Sequence, residues 1–310
     1  FYNSLHKILF ISFAFSLFLI CFDSTYQFLF GSNILGYISP HNYRLTSFFN
    51  DEMIVGSFIV KIVPIILYFF YFNFSNKYPY VIIIILICLF SLTTLFLSGE
   101  RTSLFHLVFF YFLLLIGIKF NLKLKFLLIF LSIILSTLFL AFSETTKNRI
   151  IIQTYEQIQE SENFLFIGSK EHHQHFDISL RMFRDSKLIG KGPKSFRHLC
   201  NDSRFNYQNE GCSTHPHNIM IQLLAETGII GLLFYLLLYF NFIYHYFRSF
   251  FDQSIDPQLK NGSIIIYSAL ICFLFPFVPS NNIFGQFFNS YIWIYIGYSF
   301  LYKRLFTKPI

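Results

Sequence analysis

Cys212-Ser-Thr-His-Pro-His-Asn-Ile-Met-Ile-Gln-Leu-Leu-Ala-Glu-Thr-Gly-Ile-Ile-Gly231 leads a polar, histidine-rich loop straight into an apolar run that continues to residue 247. Such a change of polarity marks the point where a water-facing loop meets a membrane. Ser213 or Thr214 is the expected helix cap, and Pro216 fits a first turn that needs no N–H partner. The helical period then stacks Asn218, Gln222 and Glu226 on one face. Polar groups inside a membrane helix are costly and face a functional interior.

Outward from this stretch, composition extends the membrane reading to the whole chain. Of 310 residues, 55% are hydrophobic, 22% aromatic and only 13% charged, and the mean hydropathy is +0.54; a soluble domain of this size does not look like this. Apolar windows at 6–22, 53–74, 79–98, 102–120, 126–143, 217–247, 263–279 and 286–302 each approach one bilayer span. The expected fold is an all-α polytopic membrane protein: transmembrane helices in 1–143, a large outer loop with short helices in 144–216, and transmembrane helices again in 217–310. The 46 Phe need no cofactor to explain them, since lipid-facing helices accept them. Because the chain starts at Phe1 and not Met, it is expected to be a fragment that has lost one or more leading helices.

Basic residues in the short connections orient the bundle. Lys7, Lys77, Lys119, Lys123, Lys125, Arg248, Lys260, Lys303, Arg304 and Lys308 fall on one side if the helices alternate, and the positive-inside rule makes that side cytoplasmic. Segments 23–52, 99–101, 144–216 and 280–285 then face outward, to the periplasm of a Gram-negative cell. The net charge of +7 reports this topology, and nucleic-acid binding is excluded for want of a basic soluble domain.

Cys200 and Cys212 bracket a short polar stretch of the outer loop, where an oxidising compartment lets them pair. Cys21, Cys88 and Cys272 fall in or beside apolar helices. His172, His173 and His175 resemble a metal tract, yet no acid or Cys spacing completes a site; they are expected on a solvated helix or loop, with no metal and no cofactor.

The residues suited to chemistry are outward cations and one histidine. Arg44 and Arg101 each lie at the end of a membrane helix on the side where positive charge is disfavoured, so anchoring alone explains them poorly. Arginine grips phosphate bidentately, which suggests a ligand bearing pyrophosphate. His217 opens a helix, where free N–H groups attract an anion and disfavour a cation, as a neutral base requires.

These residues resemble the bacterial O-antigen ligases and O-antigen polymerases. His217-Asn218, nine residues, then Gly228-Ile-Ile-Gly231 is similar to the family's signature at the end of its large outer loop. Leu188-Ile-Gly-Lys-Gly-Pro-Lys-Ser-Phe-Arg197 looks like the glycine-bearing segment before it, and Arg184 with Leu188 fits an Arg-x3-Leu pattern. Ser98-Gly-Glu-Arg-Thr102 and Arg44-Leu-Thr-Ser-Phe-Phe-Asn-Asp-Glu52 look like the two upstream outer-face motifs.

The resemblance implies metal-independent transfer of a glycan from an undecaprenyl-pyrophosphate carrier, in the bacterial inner membrane and at its periplasmic face, during lipopolysaccharide biosynthesis. The acceptor would be the lipid A core or a growing glycan. His217 would be the general base, and Arg101, with Arg44, would stabilise the leaving pyrophosphate. His215, Asn218 and Glu226 would orient base or sugar. For the loop arginine of the family, Arg181, Arg184 and Arg197 all compete. The alternative is a transporter or permease for a polysaccharide or anion, which predicts charges near mid-membrane and internal repeats; most charges sit at helix ends and neither half echoes the other.

Overall fold

In this computed structural model, residues 2–40, 44–74, 79–118, 122–160, 170–206, 211–252, 254 and 256–306 are described. Lys77, Lys119 and Lys308 of the expected cytoplasmic set lie outside them. In chain order the helices are α1 (Tyr2–Phe30), α2 (Val55–Phe74), α3 (Pro79–Ser98), α4 (Arg101–Gly117), α5 (Leu122–Phe142), α6 (Glu144–Lys147), α7 (Gln153–Glu160), α8 (Lys170–Asp185), α9 (Phe196–Leu199), α10 (Ile219–Phe251), α11 (Pro257–Phe273) and α12 (Gln286–Phe306). A short π-helical stretch, Asn148–Ile152, joins α6 to α7. The fold is all-helical; among the described residues the one extended pairing is an isolated bridge between Ser32 and Ile38.

Two stretches, Leu5–Phe30 and Ile219–Phe251, are long and apolar enough to cross a membrane. Val55–Tyr71, Ile82–Ser98, Arg101–Gly117, Lys125–Ala141 and Leu259–Phe273 are apolar but shorter. The chain divides into two compact units: residues 1–153, 246–272 and 299–310, and residues 154–245 and 273–298.

In the first unit α1 runs past the apolar window that announces it, because the polar residues of its last turns are buried and bonded. Asp23 accepts the Ile34 N–H at 2.9 Å and the Ser47 hydroxyl at 2.5 Å. Gln27 Oε1 accepts the N–H groups of Thr46 and Ser47 at 3.0 and 2.8 Å. These bonds fix the loop that carries Arg44. Helix α11 starts earlier than its apolar window for a related reason: Asp256 caps it, accepting the Leu259 N–H at 3.2 Å, and Pro257 occupies the first helical position. Lys260 is buried and donates to the carbonyls of Phe250 at 2.7 Å and Asp252 at 3.2 Å, neutralising the C-terminal end of α10.

The second unit is built on a broken helix. At Gly228 the backbone of α10 leaves helical geometry with φ 66° and ψ −165°, and the segment 187–192 fills the gap. Lys191 and Gly192 donate their N–H groups to the Ala225 and Glu226 carbonyls at 2.9 and 2.8 Å. Beyond the break, Ile229 and Ile230 donate to the carbonyls of Lys187 and Leu188 at 2.9 and 3.3 Å. Helix ends that would otherwise leave carbonyls and N–H groups unpaired are thus satisfied by one inserted strand of loop. A Cβ on Gly190 would overlap the backbone of Glu226 and Thr227, and one on Gly228 the backbone of Leu188 and Ile189. Ile178, Met182, Phe196, Cys200, Phe205 and Ala225 form the apolar core that clamps α8 and α9 to the first turns of α10.

The cap of α10 differs from the sequence expectation. Neither Ser213 nor Thr214 caps it; Asn218 does, its Oδ1 accepting the Ile221 N–H at 3.1 Å. Ser213 Oγ donates instead to the carbonyl of His215, at 2.6 Å. The reason is the left-handed backbone of His217, φ 58°, which turns the chain once more before the helix begins.

Candidate active site

The first unit gathers cations around one acid. Glu100, between α3 and α4, receives the Gly56 N–H at 2.6 Å, the Ser57 N–H at 3.1 Å and the Ser103 hydroxyl at 2.9 Å. Its carboxylate therefore sits on the free N–H groups that open α2, where an anion is favoured. Burial raises the Glu100 pKa, partly opposed by those hydrogen bonds and by the charge of Arg44. Arg44 itself is held half-buried, with Nη1 on the Met53 sulfur at 3.0 Å, and burial lowers its pKa.

Arg44 and Arg101 lie within electrostatic reach of each other, as their motifs suggest. The third member, Arg149, was passed over in the sequence. It stands in the π-helical stretch after α6, with Nε 3.4 Å from the Gly99 carbonyl and Nη1 on Gln153. Its pKa falls to about 10, first through burial and then through repulsion by Arg44 and Arg101. The signal that could have found it is weaker than the one that marked Arg44 and Arg101: an arginine just past an apolar helix, but with Lys147 two residues before it. A second overlooked charge is Lys61, buried within α2 and donating to the carbonyl and hydroxyl of Ser57 at 3.1 and 2.5 Å.

The second unit assembles imidazoles. The ring of His215 lies 4.0 Å from that of His217, centroid to centroid; His175 lies 5.4 Å and His172 5.5 Å from it. The sequence reading put the 172–175 tract on a solvated helix or loop. It is on a helix, but α8 is amphipathic, and a spacing of three turns His172 and His175 to the same face, where His175 is buried. His215 is buried too, its Nε2 3.2 Å from the Ser280 carbonyl and its Nδ1 3.0 Å from the Thr214 hydroxyl. A carbonyl only accepts, so Nε2 carries the proton and Nδ1 takes the hydroxyl's hydrogen. Burial, then the charge of His217, pushes His215 down to about 3 and His175 down to about 4, so both are neutral at pH 7. Among the described residues, no group of three His, Cys, Asp or Glu is placed to hold a metal ion.

His217 is partly exposed, and its carbonyl accepts the Ser280 N–H at 2.7 Å. The polar stack expected below it is present. Asn218 donates to the Pro276 carbonyl at 2.9 Å, and Gln222 Nε2 donates to Asn282 at 2.8 Å and to Glu226 at 3.1 Å. Gln222 Oε1 in turn accepts the Ile283 N–H at 3.1 Å. Glu226 is fully buried, and its two oxygens take the N–H groups of Lys194 and Phe196, each at 3.0 Å, tying α10 to the start of α9. Asn218 and Glu226 thus have their side chains committed to holding the loop in place.

The three competing loop arginines separate. Arg181 donates to the Phe205 carbonyl at 3.0 Å, Arg184 is exposed, and Arg197, also exposed, is the one whose charge reaches His215. Cys200 and Cys212 are joined in a disulfide, Cα atoms 5.1 Å apart, which closes the loop between α9 and the histidines.

No curated protein matches the sequence. A family model described as O-antigen ligase matches residues 86–236, from the middle of α3 through the loop and the broken part of α10. That stretch contains Glu100, Arg101, Arg149, the histidine cluster and the inserted glycine segment. Over this stretch, just under half of the chain, the sequence is therefore similar to the O-antigen ligases.

Proposed function

We propose that this protein transfers a glycan from an undecaprenyl-pyrophosphate carrier to an acceptor hydroxyl at the periplasmic face of the inner membrane, without a metal. The observation that carries the reading is the arginine cluster: three guanidinium groups within electrostatic reach of each other beside one carboxylate already engaged by hydrogen bonds. Half-buried like charges repel strongly in a medium of low dielectric, and a multiply charged anion relieves that repulsion. A pyrophosphate leaving group is such an anion, and arginine matches its oxygens in a planar fork.

His217 supplies the other half of the reaction. It takes the proton of the acceptor hydroxyl while the acceptor oxygen bonds the anomeric carbon and the bond from that carbon to the pyrophosphate oxygen breaks. Arg44, Arg101 and Arg149 neutralise the charge that grows on the departing pyrophosphate. Arg197 is the loop arginine best suited to assist, through its reach to the histidine cluster. Eight membrane spans with residues 144–216 outside remain the topology that fits these roles, and the acceptor is the lipid A core or a growing glycan.

Transfer in membranes with purified lipid-linked glycan, EDTA present throughout, tests the reading. His217→Ala is expected to lower turnover by about 10² to 10⁴ while donor binding persists, because the base acts on the acceptor. Arg101→Ala is expected to weaken donor binding and turnover together, with Arg101→Lys recovering only part. Near wild-type turnover in His217→Ala, or a reaction stopped by EDTA, overturns it.

A further inference from the structure

His175 enters the histidine cluster from α8, and its Nδ1 is buried with no hydrogen-bond partner. Leaving a buried ring nitrogen unpaired costs about 1–3 kcal/mol, so its presence calls for a reason. His215 is fully committed by contrast, one nitrogen to Ser280 and the other to Thr214. The His175 ring is tilted 33° to that of His217 with centroids 5.4 Å apart. The two rings are not hydrogen-bonded as they stand, but at that separation a turn of the rings brings a nitrogen of each within hydrogen-bond distance. The titratable and charged groups around the pair are His172 on α8, 5.5 Å from His217 and 6.1 Å from His175, then His215 on the loop, and Arg197 on α9 acting on His215.

We infer that His175 is the positioning residue of the base: its Nδ1 accepts the N–H of His217 as the acceptor hydroxyl is deprotonated. This rests on His217 being the base of the proposed transfer. The bond selects one tautomer of His217, leaves its other nitrogen for the acceptor hydroxyl, and stabilises the imidazolium that forms. A base steered by a third group is the general design of activated hydroxyl chemistry. Here a neutral imidazole takes the place that a carboxylate holds in hydrolase triads. The proton passes from the acceptor oxygen to His217 and stops there; His175 keeps its own proton on Nε2. Its low basicity, pKa about 4, keeps the Nδ1 lone pair open at neutral pH.

Steady-state transfer kinetics across pH on the full chain decide the matter. His175→Phe keeps the bulk and the edge-on packing against Phe196, 6.1 Å away, but removes both nitrogens. Its kcat is expected to fall about 10- to 100-fold with KM unchanged. The acid limb of the kcat profile is expected to move to lower pH, since the lost bond favoured the protonated base. A purely packing role moves neither, so wild-type kcat and profile in His175→Phe overturn the inference. His175→Gln, whose amide oxygen can accept the same N–H, is expected to recover most of the rate. A folded His175→Gln with kcat reduced as far as expected for the phenylalanine variant also overturns it, and this arm stands if His175→Phe fails to form the Cys200–Cys212 disulfide. His217→Ala separates the two levels: activity retained there sinks the base assignment itself, whereas activity lost there and intact in His175→Phe sinks the orienting role alone.

Discussion

Arg44, Arg101 and Arg149 gather at helix ends around a single carboxylate, whereas His217 is set in place by a loop wedged into a broken helix. The first arrangement depends on charge, which acts over several ångströms and through long side chains that can adjust. The second depends on backbone contacts narrower than one methyl group, at Gly190 and Gly228. The fold of the arginine half should therefore tolerate substitutions that cost it donor binding. The fold of the histidine half should fail when a single methyl group is added at Gly190 or Gly228.

The largest test of that contrast is Gly228→Ala. The positive φ and the overlap with Leu188 predict a loss of about 4 kcal/mol or more, read as faster hydrogen exchange in α8 and easier reduction of the Cys200–Cys212 disulfide. Gly297→Ala, on α12 with nothing within 4 Å, is expected to be neutral or slightly stabilising. Equal tolerance at both positions would break the comparison.

Cys200→Ser with Cys212→Ser comes next. The bridge spans a sequence separation of 12, for which the loop-entropy relation gives about 3 kcal/mol. The loss should appear as a lower melting temperature and faster exchange around the histidines, with donor affinity unchanged. A drop in donor affinity as large as that in Arg101→Ala would show that the two halves are not separable.

Arg149→Ala sharpens the electrostatic side. Donor binding is expected to weaken about 10- to 100-fold without a change in melting temperature, with Arg149→Lys intermediate. Unchanged affinity removes Arg149 from the cluster.

The smallest effect is one of pH. His175 and His215 are depressed below the usual 6.5, to about 4 and about 3. The unfolded chain then binds more protons than the folded one between those values and 6.5. Stability is full above pH 6.5 and declines as the pH falls toward 4. Hydrogen exchange at pH 5 against pH 7.5 should therefore loosen α8 more than α2, after correction for the intrinsic exchange rate; an equal response in both would count against the neutral cluster.

Hydropathy alone made the chain an all-helical membrane protein, because burying apolar side chains and pairing every backbone group leaves helices as the economical answer. Periodicity alone placed Asn218, Gln222 and Glu226 on one face, and Arg44 and Arg101 stood out because the side expected for them opposes the charge bias of membrane loops. Sequence did not show that Asn218 caps α10, since that depends on a left-handed residue at His217. Nor did it show what the two glycine motifs are for, because their reason is each other: Gly190 and Gly228 meet across a gap in one helix. Arg149 joined Arg44 and Arg101, and His175 joined His217, only when helices distant in the chain were brought together. Local pattern decides which segments become helices, while the grouping of side chains from separate segments is decided by packing and by the pairing of broken backbone.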